Sequence, residues 1–526
     1  MEYSFPAEGK NSINRLPGSY PEGIIFFKMK NVFLILLSIY SLNLFSQNTF
    51  FKIYEHTGHE RGFECVETTD GDYIIVGERV NDYSYQLSHG LIYLLDPLGN
   101  LTTEYELNDS LNNSFLMTIN QSLINPGQFL VYGTKRFFDG QDTCSEMIQL
   151  TIDNDLNILN LSTFFFLRNH WSYPWKTELA SDSIIYILIG DYSLQWNSPQ
   201  FGIAKIRLPD DSITSWFPQQ PAPGIDYDAY DLHIQYDPEV IKVFYFGQLL
   251  EDINSLQIAR FNPDLSLMGS STMPGSYIHS GPNAVNFSDT SYIFTATTST
   301  VSIPIQHICI YKMNEANDSI LKQVEYANSL DTILYSGGGT NTAISGHSIF
   351  ITGIYNIIPF QIPWQTSPMW IQITRTDLDL NIISHHFYGG DAEYLPYCIA
   401  PTSDGGAIVT GFVWDYNIPE NYQYDIFALK FDTAGVVTGI GENEKQIASE
   451  AIVYPNPGSD YLMALLGAQH KSADLSLLDI TGKTMLHCTL NQYQTRISTA
   501  HLPAGTYLYS ITAGNRLIGS GKWVRQ

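Results

Sequence analysis

Reactive side chains at fixed spacing are the first sign of chemistry in a sequence, and here they are sparse. No G-x-S-x-G elbow, H-E-x-x-H pair or glycine-rich phosphate loop occurs. His385 and His386 are adjacent in a strand-like pattern. Neighbours in a strand point to opposite faces, so the pair is badly placed to chelate one ion. Asp153-Asn-Asp-Leu-Asn157 has a calcium-like oxygen spacing but lacks the glycine and distal glutamate of an EF-hand loop, and it reads as a hairpin turn. Carboxylates are abundant, yet a hydrolase needs one pair facing across a pocket, and spacing along the chain does not reveal such a pair. Cys65, Cys144, Cys309, Cys398 and Cys488 form no CxxC or Cys/His cluster, so no zinc site is expected and single buried thiols are the preferred reading. No catalytic residue, metal or cofactor is assigned.

Binding chemistry has more to work with. Aromatic residues beside Asn, Asp and Gln gather in a few segments: Tyr83 and Tyr85, Phe137 and Phe138, Trp196, Trp364 and Trp370, then Trp414, Tyr416, Tyr422 and Tyr424. A ring can cover the apolar face of a sugar or an extended peptide while neighbouring amides and carboxylates take its polar groups. Singly, each ring is as well explained by packing a loop on the element beneath it. As a group on one face they are the candidate ligand-binding aromatics.

A repeat must bring them to that face. A polar turn, an alternating apolar run and a closing glycine recur in Thr69-Asp-Gly-Asp-Tyr-Ile-Ile-Val-Gly77 and Ser403-Asp-Gly-Gly-Ala-Ile-Val-Thr-Gly411. Looser copies end at Gly133, Gly190, Gly247, Ala296 and Gly353, so successive copies are 56, 57, 57, 49, 57 and 58 residues apart. A second strand and an Asp/Asn turn follow in each copy, as in Leu91–Leu95 with Asp96-Pro-Leu-Gly-Asn100. Each period therefore reads as a four-stranded antiparallel meander. Such a sheet cannot bury both faces alone, and stacking seven in a ring buries them. The seventh period lacks its last strand, and Thr49-Phe-Phe-Lys-Ile-Tyr54 resembles the last strand of the sixth, Ile383-Ser-His-His-Phe-Tyr388. Residues 48–56 are expected to complete the seventh sheet and close the ring. The loops between second and third strands then share a face with the connections from blade to blade, and those loops carry the aromatics.

The bulk properties agree with an exported all-β protein. Of 526 residues, 44% are hydrophobic and only 15% charged, which suits a packed core rather than disorder. The net charge is −27; the stretch from 451 onward holds six Lys/Arg against three Asp/Glu, which leaves about −30 on the rest. So acidic a body repels phosphate backbones, and nucleic acid is excluded as a partner. Lys28-Met-Lys30 precedes the apolar run Val32–Phe45 and then Ser46-Gln47, the pattern of a secretory signal peptide at 29–46, too short for a permanent membrane span. Residues 1–28 read as an upstream extension from a mis-set start, and the ring as residues 47–438.

After a polar linker at 439–450 comes Tyr454-Pro-Asn-Pro457. Two prolines fix φ and remove two donors, so the chain is expected to begin a separate unit here, 451–526, whose many short strands suggest a small Ig-like sandwich. The repeats resemble the secreted β-propeller repeats, patterned T-x-D-G-G-Y-I-I-x-G, that precede sorting tails in Bacteroidetes proteins. Tyr454-Pro-Asn-Pro457, then Leu478-Asp-Ile-Thr-Gly482-Lys483, Leu502-Pro-Ala-Gly505-Thr-Tyr507 and Lys522-Trp-Val-Arg525 resemble the type A C-terminal sorting domain of the type IX secretion system. Where the family pattern places an aromatic before Asp479, this chain has Leu478. The resemblance implies recognition by the type IX translocon after signal cleavage, removal of the tail, and release or attachment to surface polysaccharide. The expectation is thus an all-β, seven-bladed propeller with a sorting tail, secreted or at the cell surface, that binds glycan or protein ligands. The alternative is a secreted propeller hydrolase or lyase acting on polysaccharide or peptide, and a third reading is a purely structural ring.

Overall fold

The computed structural model describes residues 48–526 apart from 81–87, 108–112, 169, 182, 194–197, 209–211, 218–225, 249–255, 275–276, 301–302, 326–333, 337–338, 358–367, 419–422 and 438–448. The expected extension, the signal peptide and most of the 439–450 linker lie outside the described residues.

Every regular element described is a β-strand. The first sheet is a meander of His59–Glu67, Tyr73–Val80, Ser88–Leu95 and Leu101–Leu107. Meanders of the same kind follow over 113–168, 170–216, 226–272 and 277–325. In the sixth, over 334–389, the inner strand comes in two pieces, Leu334–Ser336 and Thr342–Ser345, both paired with Ser348–Tyr355. The seventh consists of Glu393–Pro401, Ala407–Trp414 and Asp425–Phe431, with Phe50–Tyr54 as its outer strand. Phe50 lies opposite Lys430 and Tyr54 opposite Ile426, so the start of the described chain completes the last sheet, as the sequence leads one to expect. Each sheet packs on the next and the seventh packs on the first, a closed β-propeller.

Blade stacking explains the composition of the strands. Ile74, Ile75 and Val76 run consecutively and are all buried, because both faces of a middle strand meet a neighbouring blade. Ile74 and Val76 pack with Leu116, Phe129 and Val131 of the second blade, while Ile75 faces Ile408 and Ala428 of the seventh. Each such side chain contributes roughly 1.5–3 kcal/mol on leaving water. The outer strand Leu101–Leu107 has only one covered face and is mostly exposed.

Asp/Asn turns tie outer strands to their neighbours. Asp153 Oδ1 accepts the Asp155 and Asn157 amides at 3.0 and 2.9 Å, and Oδ2 accepts the Asn157 side chain at 2.9 Å. The calcium-like spacing is thus a self-capped hairpin turn.

The tail is two sheets. Ala451–Tyr454, Tyr461–Leu466 and Gln494–Ser498 form one; Thr484–Leu490, Ala473–Leu478, Gly505–Ala513 and Arg516–Arg525 form the other. Leu462, Ala464, Leu466, Leu475, Leu477, Ile511 and Trp523 fill the space between. The tail has a core of its own and is also docked on the ring. Ile452, Tyr454, Met463 and Leu465 turn away from the tail's own core onto Ile351, Tyr355, Trp370 and Phe387 of the sixth blade. The Tyr355 and Tyr454 rings meet edge-on at 5.2 Å. Ser449 and Phe387 exchange two backbone hydrogen bonds of 3.0 and 3.1 Å. The reason is local: the edge sheet of the tail is apolar on both faces, and its outer face needs a cover as much as its inner one.

Candidate functional site

The axis of the ring is built by a recurring irregularity. Pairing of the innermost strand with its neighbour jumps between Gly62 and Glu64, Leu116 and Thr118, Pro174 and Lys176, Ala229 and Asp231, and Pro396 and Cys398. Each jump is a β-bulge that leaves one residue out of the ladder: Phe63, Met117, Trp175, Tyr230 and Tyr397. All five line one space on the axis. The bulges also explain the closing glycines of the repeat. Gly77 lies opposite Gly62 and Gly411 opposite Pro396. A Cβ on Gly77 would stand 1.9 Å from the Arg61 carbonyl oxygen, and one on Gly411 2.1 Å from that of Leu395. The displaced inner backbone occupies the place of a side chain.

That axial space is a throat of about 20 Å³, room for about one water molecule, bordered besides the bulge residues by Glu64, Thr118, Lys176, Asp231 and Thr340. Lys176 Nζ donates to Thr340 Oγ1 at 2.6 Å. Glu64 accepts the Ile119 amide at 2.8 Å, and Asp231 accepts the Ala284 amide and, at 3.3 Å, the Asn283 side chain. Burial raises the Glu64 and Asp231 carboxyls, with Lys176 pulling back. Glu178, further along the Lys176 strand, is pushed by burial up to about 7 despite Lys176 and His233. Burial alone would lower Lys176, but Asp231, Glu64 and Glu178 outweigh it and raise the ammonium.

Above the bulges the axis opens into a funnel of about 320 Å³, the lower end of the size range of ligand pockets. Its wall holds Arg61, Phe63, Glu78, Asn113, Phe115, Met117, Arg136, Tyr173, Trp175 and Tyr397. The Arg136 guanidinium lies 4.7 Å from the Phe115 ring centre, and Arg61 pairs with Glu78 at 3.5 Å. Phe63 meets Tyr397 edge-on at 5.4 Å and Tyr173 meets Trp175 at 5.8 Å. Burial lowers Arg136 and raises Glu78, so each group gains from an opposite charge brought to it.

The candidate aromatics of the loops fare differently. Tyr83, Tyr85, Trp196, Trp364 and Tyr422 lie outside the described residues. Phe138 is exposed and Phe137 leans on Phe166 at 6.3 Å. Trp370, Trp414 and Tyr424 are not ledges but packing: all three are buried, the last two in a cluster with Met369, Leu395 and Phe412 that seals the loop bases. Tyr416 lies half-buried beside Trp414. Sequence reasoning missed the axial set. Its signal was a Gly or Pro before an aromatic inside a strand pattern: Gly62-Phe63, Pro174-Trp175 and Pro396-Tyr397. Proline cannot donate to a ladder and marks a bulge.

His385 and His386 are both buried. His385 Nδ1 lies 2.9 Å from Thr374 Oγ1 and 3.1 Å from Gln372 Nε2, and burial pulls it down to about 3, which keeps it neutral. Among the described residues no group of three or more His, Cys, Asp or Glu side chains is placed to hold a metal ion.

The sorting residues form a clamp. Asn456 donates to the Lys522 carbonyl at 2.7 Å and accepts the Val524 amide at 2.9 Å. Trp523 Nε1 donates to the Pro455 carbonyl at 2.8 Å. The Tyr-Pro-Asn-Pro motif and the closing Lys-Trp-Val-Arg strand are therefore two halves of one joint. Tyr507 stacks near Trp523 at 5.9 Å and donates to the Pro503 carbonyl at 2.7 Å. Gly482, at φ +84°, lets the Asp479–Lys483 turn close. A crevice of about 410 Å³ runs along the seam, bordered by Trp370, Asp391 and Tyr416 of the ring and by Asn456, Pro457 and Lys522 of the tail.

Solved structures similar to this chain include a protein of unknown function from Dyadobacter fermentans, with 10% identity, TM-score 0.44, and coverage of 73% of this chain and 98% of that one. Another is the β-propeller domain of the Trilobed protease from Pyrococcus furiosus, with 8% identity, TM-score 0.41, and coverage of 72% and 96%. A third is an α-L-arabinanase from Penicillium chrysogenum, with 12% identity, TM-score 0.37, and coverage of 63% and 97%. No curated protein matches the chain. Among the described residues no helix is long and apolar enough to cross a membrane. Residues 452–524 match the family model of the secretion system C-terminal sorting domain, and this tail marks the chain as a secreted or cell-surface protein that engages the type IX secretion machinery.

Proposed function

We propose that the exported propeller is a binding module whose site is the axial funnel, and that it takes a glycan or an extended protein segment. The observation that carries this reading is the convergence of Phe63, Trp175 and Tyr397 beside Arg61, Glu78, Asn113 and Arg136 in one open space. Ring faces cover apolar patches, while the ions and the amide take hydroxyls or peptide groups. The throat beneath is too narrow to admit more than water, so the ligand enters and leaves from one side. The tail serves delivery; its removal and the attachment of the ring to surface polysaccharide belong to the same proposal.

Glycan and peptide arrays probed with the purified protein test the site. Trp175→Ala and Arg136→Ala should each weaken a hit about tenfold or more, the usual effect of losing a well-packed aromatic or arginine contact. Hits unchanged in both variants would remove the funnel from consideration. The second reading, a hydrolase or lyase, draws on Glu64 and Asp231 at the throat and on Glu178, whose value near 7 suits a general acid. Chain-shortened product from a bound polysaccharide or peptide, lost in Asp231→Asn, would favour that reading.

A further inference from the structure

Cys65 and Cys398 are separated by nearly the whole ring in sequence, yet their Sγ atoms lie 3.8 Å apart. Cys65 is on the inner strand of the first blade, His59–Glu67, and Cys398 on that of the seventh, Glu393–Pro401. Both are buried in the apolar cluster where the last blade meets the first, with Ile75, Tyr93, Ile408 and Ala428 around them. Of the five cysteines, Cys144 and Cys309 are buried in other blades and Cys488 sits in the tail. Contact of two thiols between the inner strands of the last and first blades is the only such pairing among the described cysteines.

A disulfide needs sulfurs about 2.05 Å apart on Cβ atoms about 3.5–4.5 Å apart. At 3.8 Å the two sulfurs are in van der Waals contact, within reach of a bond by a change of side-chain rotamer and a small approach of the two strands. The sorting tail sends the chain through the cell envelope, a compartment in which disulfides form and persist. We infer that Cys65 and Cys398 are oxidised to a disulfide that bolts the seventh blade to the first during export. One thiolate attacks the disulfide of an envelope dithiol oxidoreductase, giving a mixed disulfide; the second thiolate displaces the reduced oxidant. Both electrons and both protons pass to the oxidoreductase, which leaves as a dithiol. The reaction belongs to the moment of ring closure, since the finished junction buries both sulfurs. In the reduced ring the hydrogen bond to Cys398 and burial hold the Cys65 thiol well above its usual range.

The test is a thiol count on the exported full-length protein, denatured at harvest in the presence of the alkylating reagent and without reductant. Three of the five cysteines should be alkylated, and all five after reduction. Peptide mapping should recover a linked pair containing Cys65 and Cys398, and reduction should slow the band on a denaturing gel because a long covalent loop opens. Cys398→Ser should lose the linked peptide, whereas Cys144→Ser should retain it. Should Cys398→Ser fail to accumulate, Cys65→Ala and the wild-type map decide the matter alone. Five alkylated thiols in the exported wild-type chain, or a linked peptide joining other cysteines, would overturn the assignment.

Discussion

Glu178 offers a quantitative probe of the axis. Its carboxyl is held near 7 instead of 4.5 because burial opposes its charge more than Lys176 and His233 favour it. The sign follows from linkage. Below pH 4.5 the residue is protonated whether the chain is folded or not, and it has no effect. Between 4.5 and 7 the unfolded chain gives up the proton while the folded one keeps it, so stability falls as pH rises. Above 7 the penalty is complete. A displacement from 4.5 to about 7 corresponds to about 3 kcal/mol, a factor of about 300 in the unfolding constant. Water reaching the axis reduces this, and about 1–3 kcal/mol is the expected range. Glu178→Gln keeps the shape and removes the titration. Denaturant midpoints of the two proteins should coincide near pH 4 and separate with rising pH, the variant being the more stable at pH 8. A gap that does not change with pH, or a variant less stable at pH 8, would refute the claim that burial dominates at Glu178.

Two further outcomes follow from contacts described above. Gly411→Ala places a Cβ against the Leu395 carbonyl and should destabilise the ring by about 3 kcal/mol or more, read as a lowered melting temperature, whereas Gly127→Ala, whose Cβ meets nothing nearer than 3.8 Å, should be tolerated much better. Met463→Asp puts a charge on the tail face that covers the sixth blade; hydrogen exchange at the Phe387 and Ser449 amides should accelerate while the tail core stays protected, and Leu462→Asp, which points inward, should unfold the tail instead.

Much of the ring is legible in the sequence. Middle strands such as Ile74-Ile-Val76 are covered on both faces and keep the apolar run that marks them. The turn before each strand carries its own Asp or Gly, so the period survives sequence drift. Phe50–Tyr54 was legible as a closing strand because it repeats the last strand of a neighbouring copy. The site was less legible. Loop aromatics such as Trp414 and Tyr424 look alike in sequence whether they face solvent or seal a loop base, and the structure buries them. The axial residues escape because a bulge shifts pairing by one position and breaks the alternation that sequence reading follows; only the Gly62, Pro174 and Pro396 interruptions betray them. Docking of the tail was visible in Ala451-Ile-Val-Tyr454 and Tyr461-Leu-Met-Ala-Leu-Leu466, which have no polar alternate. A run of that kind asks for two covers.

The borrowed strand of the seventh blade also orders events in time. A chain that enters the envelope from its N-terminal end delivers Phe50–Tyr54 at once but Asp425–Phe431 only after every other blade has passed. Until then the first arrival has no partner, and the first blade has one face open to water. Such a half-made wheel shuts only when its last spoke arrives, directly ahead of the segment that carries the delivery signal.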